Sequence, residues 1–550
     1  MLSSQSLLAI CSLLSLSGGS VASSHSDAVI QNANHIFNVI HDSMRQWGSS
    51  LHHNGVSFFL ANVPAGTQLY HGTSKATPVN GTEWLAFEPE HAMMFARPHM
   101  GPPPRRPDEG DNDEIDRGHH GELRRRQPHA PGGRPPGPPP PPFDVSEEKE
   151  AGYLHTYAAA KNLRLLYIDG MSAAKTKKGT LDSQDVLLFN NTLDDTPKEG
   201  QRGPMGEFER ATKACEMSEN EWGGRIDGVI RMEAGFEVIL CAFERDLTPV
   251  RIIQVKSDSG AGGHKDRMHN RHAGPRKDQD DGKIRIPPAG PGGPGGPRGP
   301  GRGPPGMDSS RWMRAVSARY SGIGGDRVTL NYEHFVTAFA YDLDLFPENL
   351  SLPRLGQVPS TELDVVRKDL TATILAHNAT ETTRNWQAIT DMIVKRYSDE
   401  LAYLASGEFT DITSMRQHIE TLLSPFIDYN SRDASSEAER CATQFLPLGT
   451  QDSHVLAARA VHSVAHRVCS TLLTAGTEED LESAVQKVQA LIDYLDWTSW
   501  KECRGCENHE ICVVPIWPMG SVADYEKPTC REASSPYDQD GESYWGGIHP

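Results

Sequence analysis

The sequence is short of several things, and each shortage removes a class of protein. Beyond its first residues it has no run approaching the roughly 20 apolar residues that a membrane helix needs, so no membrane span is expected. Positive charge is scarce: 54 Lys and Arg stand against 73 Asp and Glu, a net charge of −19, which argues against general nucleic-acid affinity. No Gly-X-Ser-X-Gly elbow, phosphate-binding glycine loop or His-Glu-X-X-His pair occurs, which removes the simplest hydrolase, kinase and zinc-protease readings. The end, Gly547-Ile548-His549-Pro550, has neither a hydrophobic tail nor an HDEL-type signal.

What is present points to the secretory route. Leu7 to Leu16 is an apolar run too short to span a bilayer, followed by the small residues Ser20-Val21-Ala22, so residues 1–22 are expected to be a signal peptide. Its removal would take Cys11 and leave an even set: Cys215, Cys241, Cys441, Cys469, Cys503, Cys506, Cys512 and Cys530. In an oxidising compartment these are disulfide candidates whose pairing the sequence does not assign. Asn80, Asn190, Asn349 and Asn378 each begin a glycosylation sequon. The expected location is the secretory-pathway lumen or the outside of the cell.

At 550 residues the chain is long enough for two or three domains. Ile30, Ala33, Phe37, Ile40, Met44 and Trp47 mark one face of a helix started by Ser26 or Asp27. Strands are expected at 56–60, 68–71, 153–157, 163–170, 226–231, 236–243 and 250–255, bounded by turn residues such as Asn54-Gly55 and Asp169-Gly170. Residues 98–142 and 257–308 are rich in Pro, Gly, Arg and acidic residues, and cannot bury enough apolar surface to offset ordering entropy. They are expected to be disordered insertions, leaving residues 26–97 and 143–256 as one α+β domain. A connecting segment spans 309–354, with Trp312 to Phe346 available to complete that domain.

Residues 355–500 turn helical. Leu363, Val366, Leu370 and Ile374 mark one helix, and Trp386, Ile389, Ile393, Tyr397, Leu401 and Leu404 a second. Met415, Ile419 and Leu422 mark a third, Val455 to Leu472 a fourth, and Leu481, Val485, Val488, Ile492 and Leu495 a fifth, capped at Thr477. Residues 501–550 form a cysteine-rich tail. The fold class is therefore an α+β N-terminal domain, a helical domain and a disulfide-rich tail.

The stretch around which this organisation turns is Gln68 to Arg97, with Tyr70-His71-Gly72-Thr73 on a strand and Trp84-Leu85-Ala86-Phe87 and Pro89 to Phe95 after it. Phe236-Glu237-Val238-Ile239-Leu240 opens a second apolar strand. The plain alternative is a turn-capping histidine and a solvated strand glutamate. In motif order these segments resemble the ADP-ribosyltransferase fold, in its His–aromatic–Glu branch. That resemblance implies NAD as cofactor. His71 would hold a ribose hydroxyl, Gly72 would let the nicotinamide amide approach the backbone, and Phe87 or Phe95 would stack on the nicotinamide. Glu237 would stabilise the oxocarbenium-like transition state. The whole chain also resembles large secretory proteins of filamentous fungi, which bears on location only.

Two other groupings carry chemistry. Cys503, Cys506, Cys512 and Cys530 suit two disulfides; with His509 among them, a zinc site is the alternative. His454, His462 and His466 share a helical face without the glutamate a metalloprotease needs. Two functions stand on these residues: an NAD-consuming ADP-ribosyltransferase-like enzyme, or a non-enzymatic secreted or wall-associated interaction protein.

Overall fold

The computed structural model describes residues 32–97, 151–193, 206–255, 309–347, 350–377, 383–448, 450, 454–537 and 542–546. The expected signal peptide, both expected insertions, and the sequons at Asn349 and Asn378 lie outside the described residues. Helix α1 (Ala33–Asp42) leads to α2 (Gln46–Leu51) and then to β1 (Asn54–Val63), β2 (Gln68–Thr73) and β3 (Glu83–Ala86). The short α3 (Pro89–Met93), β4 (Tyr153–Ala159) and β5 (Leu163–Gly170) follow, then a π-helical turn, Asp182–Leu188. Next come α4 (Glu207–Asn220), β6 (Gly228–Met232), β7 (Phe236–Leu240), α5 (Phe243–Asp246) and β8 (Leu247–Gln254). After α6 (Ser309–Ser317), β9 (Thr329–Thr337) completes a sheet in the order β8-β4-β2-β3-β7-β6-β5-β1-β9.

Every ladder is antiparallel except β5 with β6. Side chains alternate along each strand, so the register fixes two faces. Phe59, Tyr167, Ile230 and Val238 fall on one, successive neighbours across β1, β5, β6 and β7. The Met44 amide, at the end of α1, donates to the Tyr167 hydroxyl on this face. Arg231 and Glu237 fall on the other, where Arg231 meets Gln184 of the π-helical turn and Glu207 of α4.

The helical region comprises α7 (Ser360–Ala376), α8 (Trp386–Leu404), α9 (Ile412–Leu423), α10 (Ala434–Thr443), α11 (Leu456–Ala475) and α12 (Leu481–Leu495). Its buried residues join those of the sheet in one continuous core. Asn34 and Asn38 of α1 donate to the terminal carbonyls of Tyr494 and Leu495 in α12, satisfying helix-end groups that would otherwise lack partners. The tail forms β10 (Glu510–Val513), α13 (Val522–Glu526) and β11 (Thr529–Glu532). Four disulfides pair Cys215 with Cys241, Cys441 with Cys469, Cys503 with Cys512, and Cys506 with Cys530. As disulfides, the last two leave no thiolate for zinc. No described helix is long and apolar enough to cross a membrane.

Three expectations need correction in detail. The single helix expected from Ser26 is broken: Met44 takes φ 55°, so α1 and α2 meet at an angle a continuous helix forbids. The last long helix is capped by Asp480, whose carboxylate accepts from the Ser483 amide, and not by Thr477. In the third helix Leu423, and not Leu422, is the fully buried position.

Candidate functional site

The structure does not bring His71 and Glu237 into one cleft. Their strands are separated by β3, in which Ala86 is opposite both Tyr70 and Glu237. Tyr70, Ala86 and Glu237 therefore share a face, and His71 faces the other way, opposite His155. The His71 ring is 8% exposed; its Nδ1 lies 2.7 Å from the Trp84 carbonyl, and His155 and Phe243 pack edge-on against it. Gly72 has a packing reason: a Cβ there would lie 1.9 Å from the Ala92 carbonyl oxygen. Helix α3 thus occupies the space that a nicotinamide amide would need. Phe87 is buried beneath the Arg327 guanidinium, whereas Phe95 is 61% exposed, so neither is placed as a stacking face between the two motif residues.

Glu237 belongs instead to a buried ionic network. Its Oε1 accepts from Arg231 Nε at 2.6 Å, and Arg231, fully buried, also bonds Gln184 at 3.0 Å and Glu207. Lys175 Nζ lies 3.0 Å from both Glu207 and Glu233 and 5.3 Å from the Trp517 ring centre. Arg210 bridges Glu207 and Asp185. Burial pushes Glu237 and Glu233 upward, only partly offset by Arg231 and Lys175 respectively. Oxygens of Glu207, Glu233 and Glu237 lie within 4.8 Å of one another, but Lys175 and Arg231 already ion-pair with them. A buried cation–carboxylate network of this kind fixes packing, and breaking one member leaves a charge uncompensated.

A different group of residues makes a cleft. Helix α1 ends at Asp42, the left-handed Met44 turns the chain into α2, and His52 emerges just before β1. Asp169 stands at the end of β5, where the register of β1 slips between Asn54 and Phe58. Val56, in that slip, has φ 40°, a conformation costly for a β-branched residue and a mark of local strain. Close approach is needed on both sides. A Cβ on Gly48 would lie 2.4 Å from Asp42 Cβ, and one on Gly55 would lie 2.5 Å from the Asp169 backbone carbon.

Asp42, His52, Asn54 and Asp169 line this cleft, with Ser351 and Asp496 at its exposed side. Its empty volume is about 440 Å³, open solvent at the mouth included. Asp42 accepts from His41 Nδ1 at 2.9 Å, Thr498 Oγ1 at 3.0 Å and His52 Nδ1 at 2.8 Å; His52 Nε2 reaches Asp496 at 3.2 Å. Burial alone would raise Asp42, but the bonds from His41 and His52 outweigh it and hold this carboxyl well below the usual range. Burial would lower His52, yet its two aspartate partners push it up to about 10. Asp169 accepts from the Tyr167 hydroxyl at 2.7 Å, and burial raises it to about 7. Asn54 Nδ2 donates to the Lys178 and Pro353 carbonyls, both at 2.8 Å, while its buried Oδ1 has no donor among the described residues. The cleft therefore holds an ionised aspartate, a cationic histidine, an aspartate that titrates near neutrality and one unmet acceptor.

Residues 25–275 match a domain family described as the YPL277C N-terminal domain. The chain is similar to two proteins of Saccharomyces cerevisiae, both described as uncharacterized. YOR389W is 35% identical over 230 residues, covering 40% of this chain and 33% of that protein. YPL277C is 35% identical over 228 residues, covering 40% of this chain and 42% of that protein. The chain thus spans less than half the length of either relative. No solved structure matches it. The family match contains Asp42, His52, Asn54 and Asp169, and leaves out Ser351 and Asp496.

Sequence reasoning missed this cleft. Asp42 and His52 are ten positions apart across a helix break, and Asp169 had shown itself only as a strand-ending Asp-Gly.

Proposed function

We propose that the protein is an acid–base enzyme working in the secretory pathway or outside the cell, hydrolysing a small hydroxylated substrate in the Asp42–His52–Asp169 cleft. The observation that carries this is two buried aspartates in one cleft, Asp42 bonded by His41 and His52 and Asp169 by the Tyr167 hydroxyl, whose surroundings shift their proton affinities in opposite directions. Such a pair separates the roles of acid and carboxylate at one pH. Asp169 gives its proton to the leaving oxygen. His52, fixed by Asp42, supplies positive charge where negative charge develops, and Asp496 at the mouth takes the proton of the attacking water. The polar groups of the lining, Asp42, His52, Asn54 and Asp169, suit substrate hydroxyls, beside the apolar Val39, Phe339, Leu352 and Pro353. The four disulfides support an oxidising compartment.

The test is hydrolysis of a panel of chromogenic glycosides and esters from pH 4 to 9. Asp169→Asn should reduce turnover by about a hundredfold or more, the usual worth of a positioned proton donor. No hydrolysis of any member, or hydrolysis indifferent to Asp169→Asn, would refute the proposal. One observation favours the ADP-ribosyltransferase-like reading: the three strands carrying its motifs, β2, β3 and β7, are adjacent. Nicotinamide release from NAD, abolished by Glu237→Gln, is the result that would establish it over the cleft. Inactivity in both assays would favour the non-enzymatic interaction protein.

A further inference from the structure

A second cavity lies among α4, the π-helical turn and α7, with an empty volume of about 620 Å³, open solvent included. Its wall is mixed: Phe189, Met217 and Leu370 are each less than a tenth exposed, while Lys213 and Glu221 bring charges of both signs. Asn190 also lines it, directly after the π-helical turn. Asn190 and Asn191 take φ 52° and 53°, the left-handed conformation that asparagine tolerates better than most residues. That turn leaves Asn190, Asn191 and Thr192 all exposed.

The Asn190 amide is oriented from α7. Ser360 Oγ accepts from Arg367 Nη2 at 3.0 Å and gives its own hydrogen to Asn190 Oδ1 at 2.6 Å. Arg367 is itself held by the Leu187 and Ser360 carbonyls and by Asp364. Oδ1 is therefore engaged, and Nδ2 has no partner among the described residues.

We infer that Asn190 carries an N-linked glycan whose first N-acetylglucosamine seats in this cavity. The inference rests on the secretory location of the proposed function, and not on the chemistry of the cleft. Asn190-Asn191-Thr192 is the acceptor triplet. In the modification Nδ2 bonds C1 of the terminal sugar of a lipid-linked diphosphate oligosaccharide. The C1–phosphate bond breaks, the diphosphate keeps its electron pair, and one amide proton leaves. The amide oxygen survives, so the bond from Ser360 persists and keeps the sugar beside the cavity wall. A sugar ring has apolar C–H faces and hydroxyls that both donate and accept. A wall with apolar patches, a lysine and a glutamate suits that neutral ring without calling for net charge. Asn80, the other described sequon, is exposed and lines neither of the two cavities.

The experiment is glycan release by peptide-N-glycosidase from the native full chain, secreted by a eukaryotic host, followed by site-resolved mass spectrometry. The enzyme must reach the sugar–asparagine linkage, so release proceeds only through the unseated fraction. A sugar seated about nine-tenths of the time is released about tenfold more slowly. Asn190 should be occupied. Thr371→Trp, which fills the cavity from α7, should leave that occupancy unchanged and speed native release at Asn190 about tenfold. Release at every other occupied sequon should stay the same, and denaturation should abolish the difference at Asn190. If that variant does not fold, Lys213→Trp fills the same space from α4. Glycan at other sequons with Asn190 bare, or release at Asn190 indifferent to the filled cavity, overturns the inference alone. A chain with no glycan at any sequon overturns it together with the secretory location.

Discussion

Asp169→Asn should stabilise the protein near neutral pH even as it removes the proposed proton donor. The side chain is 5% exposed, and its folded value of about 7 stands above an unfolded value of about 4. Between those limits the folded chain holds a proton that the unfolded chain has released. Stability therefore falls as pH rises from about 4 to about 7, and the loss is complete above that window. Three units of displacement correspond to about 4 kcal/mol, an upper figure for a site that can relax. Asparagine carries no such proton, and its Oδ1 can keep accepting from the Tyr167 hydroxyl. Asp42 has the opposite sign, contributing stability above pH 4 that is lost as pH falls through its depressed value. His52 contributes stability below about pH 6.5 that is lost as pH rises through about 10. Both are common to the two proteins and cancel in the difference. Urea midpoints from pH 4 to 8.5, read by tryptophan fluorescence, should diverge through the window and leave the variant ahead by about 2–4 kcal/mol at pH 8. Parallel curves, or a variant less stable at pH 8, would refute the assignment of Asp169. Gain of stability with loss of turnover is the trade expected where a functional group is held in a destabilising place.

Two further substitutions separate packing from chemistry around the sequence motifs. Gly72→Ala should cost about 2–3 kcal/mol, visible as a lowered urea midpoint, because its methyl would collide with the Ala92 carbonyl of α3. Glu237→Gln should cost about 2–3 kcal/mol by leaving buried Arg231 short of a counter-charge, with cleft turnover per folded molecule unchanged; an unchanged midpoint would show that the network does not depend on it.

Much of the architecture was legible wherever burial imposed a period. Leu363, Val366, Leu370 and Ile374 are the buried stripe of α7, and the apolar run at Leu163 to Gly170 is an interior strand. Helix α10 was not legible because its buried residues are Glu437, Ala438, Cys441 and Ala442, with Cys441 tied to Cys469 rather than set in an apolar stripe. The break at Met44 was hidden for another reason: a methionine at positive φ carries no turn signature, and only its neighbours hold it there. Four cysteines of the tail could be read as two disulfides, but their partners depend on the pairing of β10 with β11, which sets Cys512 opposite Cys530 while each bonds elsewhere.

The candidate site shows where such reading stops. Strand order is coarse, and the sequence placed the His71 and Glu237 segments in one sheet; the direction of a side chain turns on a single residue of register. With Tyr70 in line with Ala86 and Glu237, His71 is sent to the opposite face, and no property of Tyr70-His71-Gly72-Thr73 reveals it. The cleft depends on the same sensitivity in reverse. Asp169 shares its face with Tyr167, whose hydroxyl both accepts from the Met44 amide and donates to Asp169, so the helix break, the strand end and the titrating carboxyl are one assembly. Its interior combines Asp42, His52, Asn54 and Asp169, inside the residues 25–275 that match the domain family, with buried Phe339 and Pro353 beyond them, and its mouth carries Ser351 and Asp496. On the proposed reading the proton donor therefore lies within the family-matched residues, and access to it is shaped by Ser351 and Asp496 beyond them.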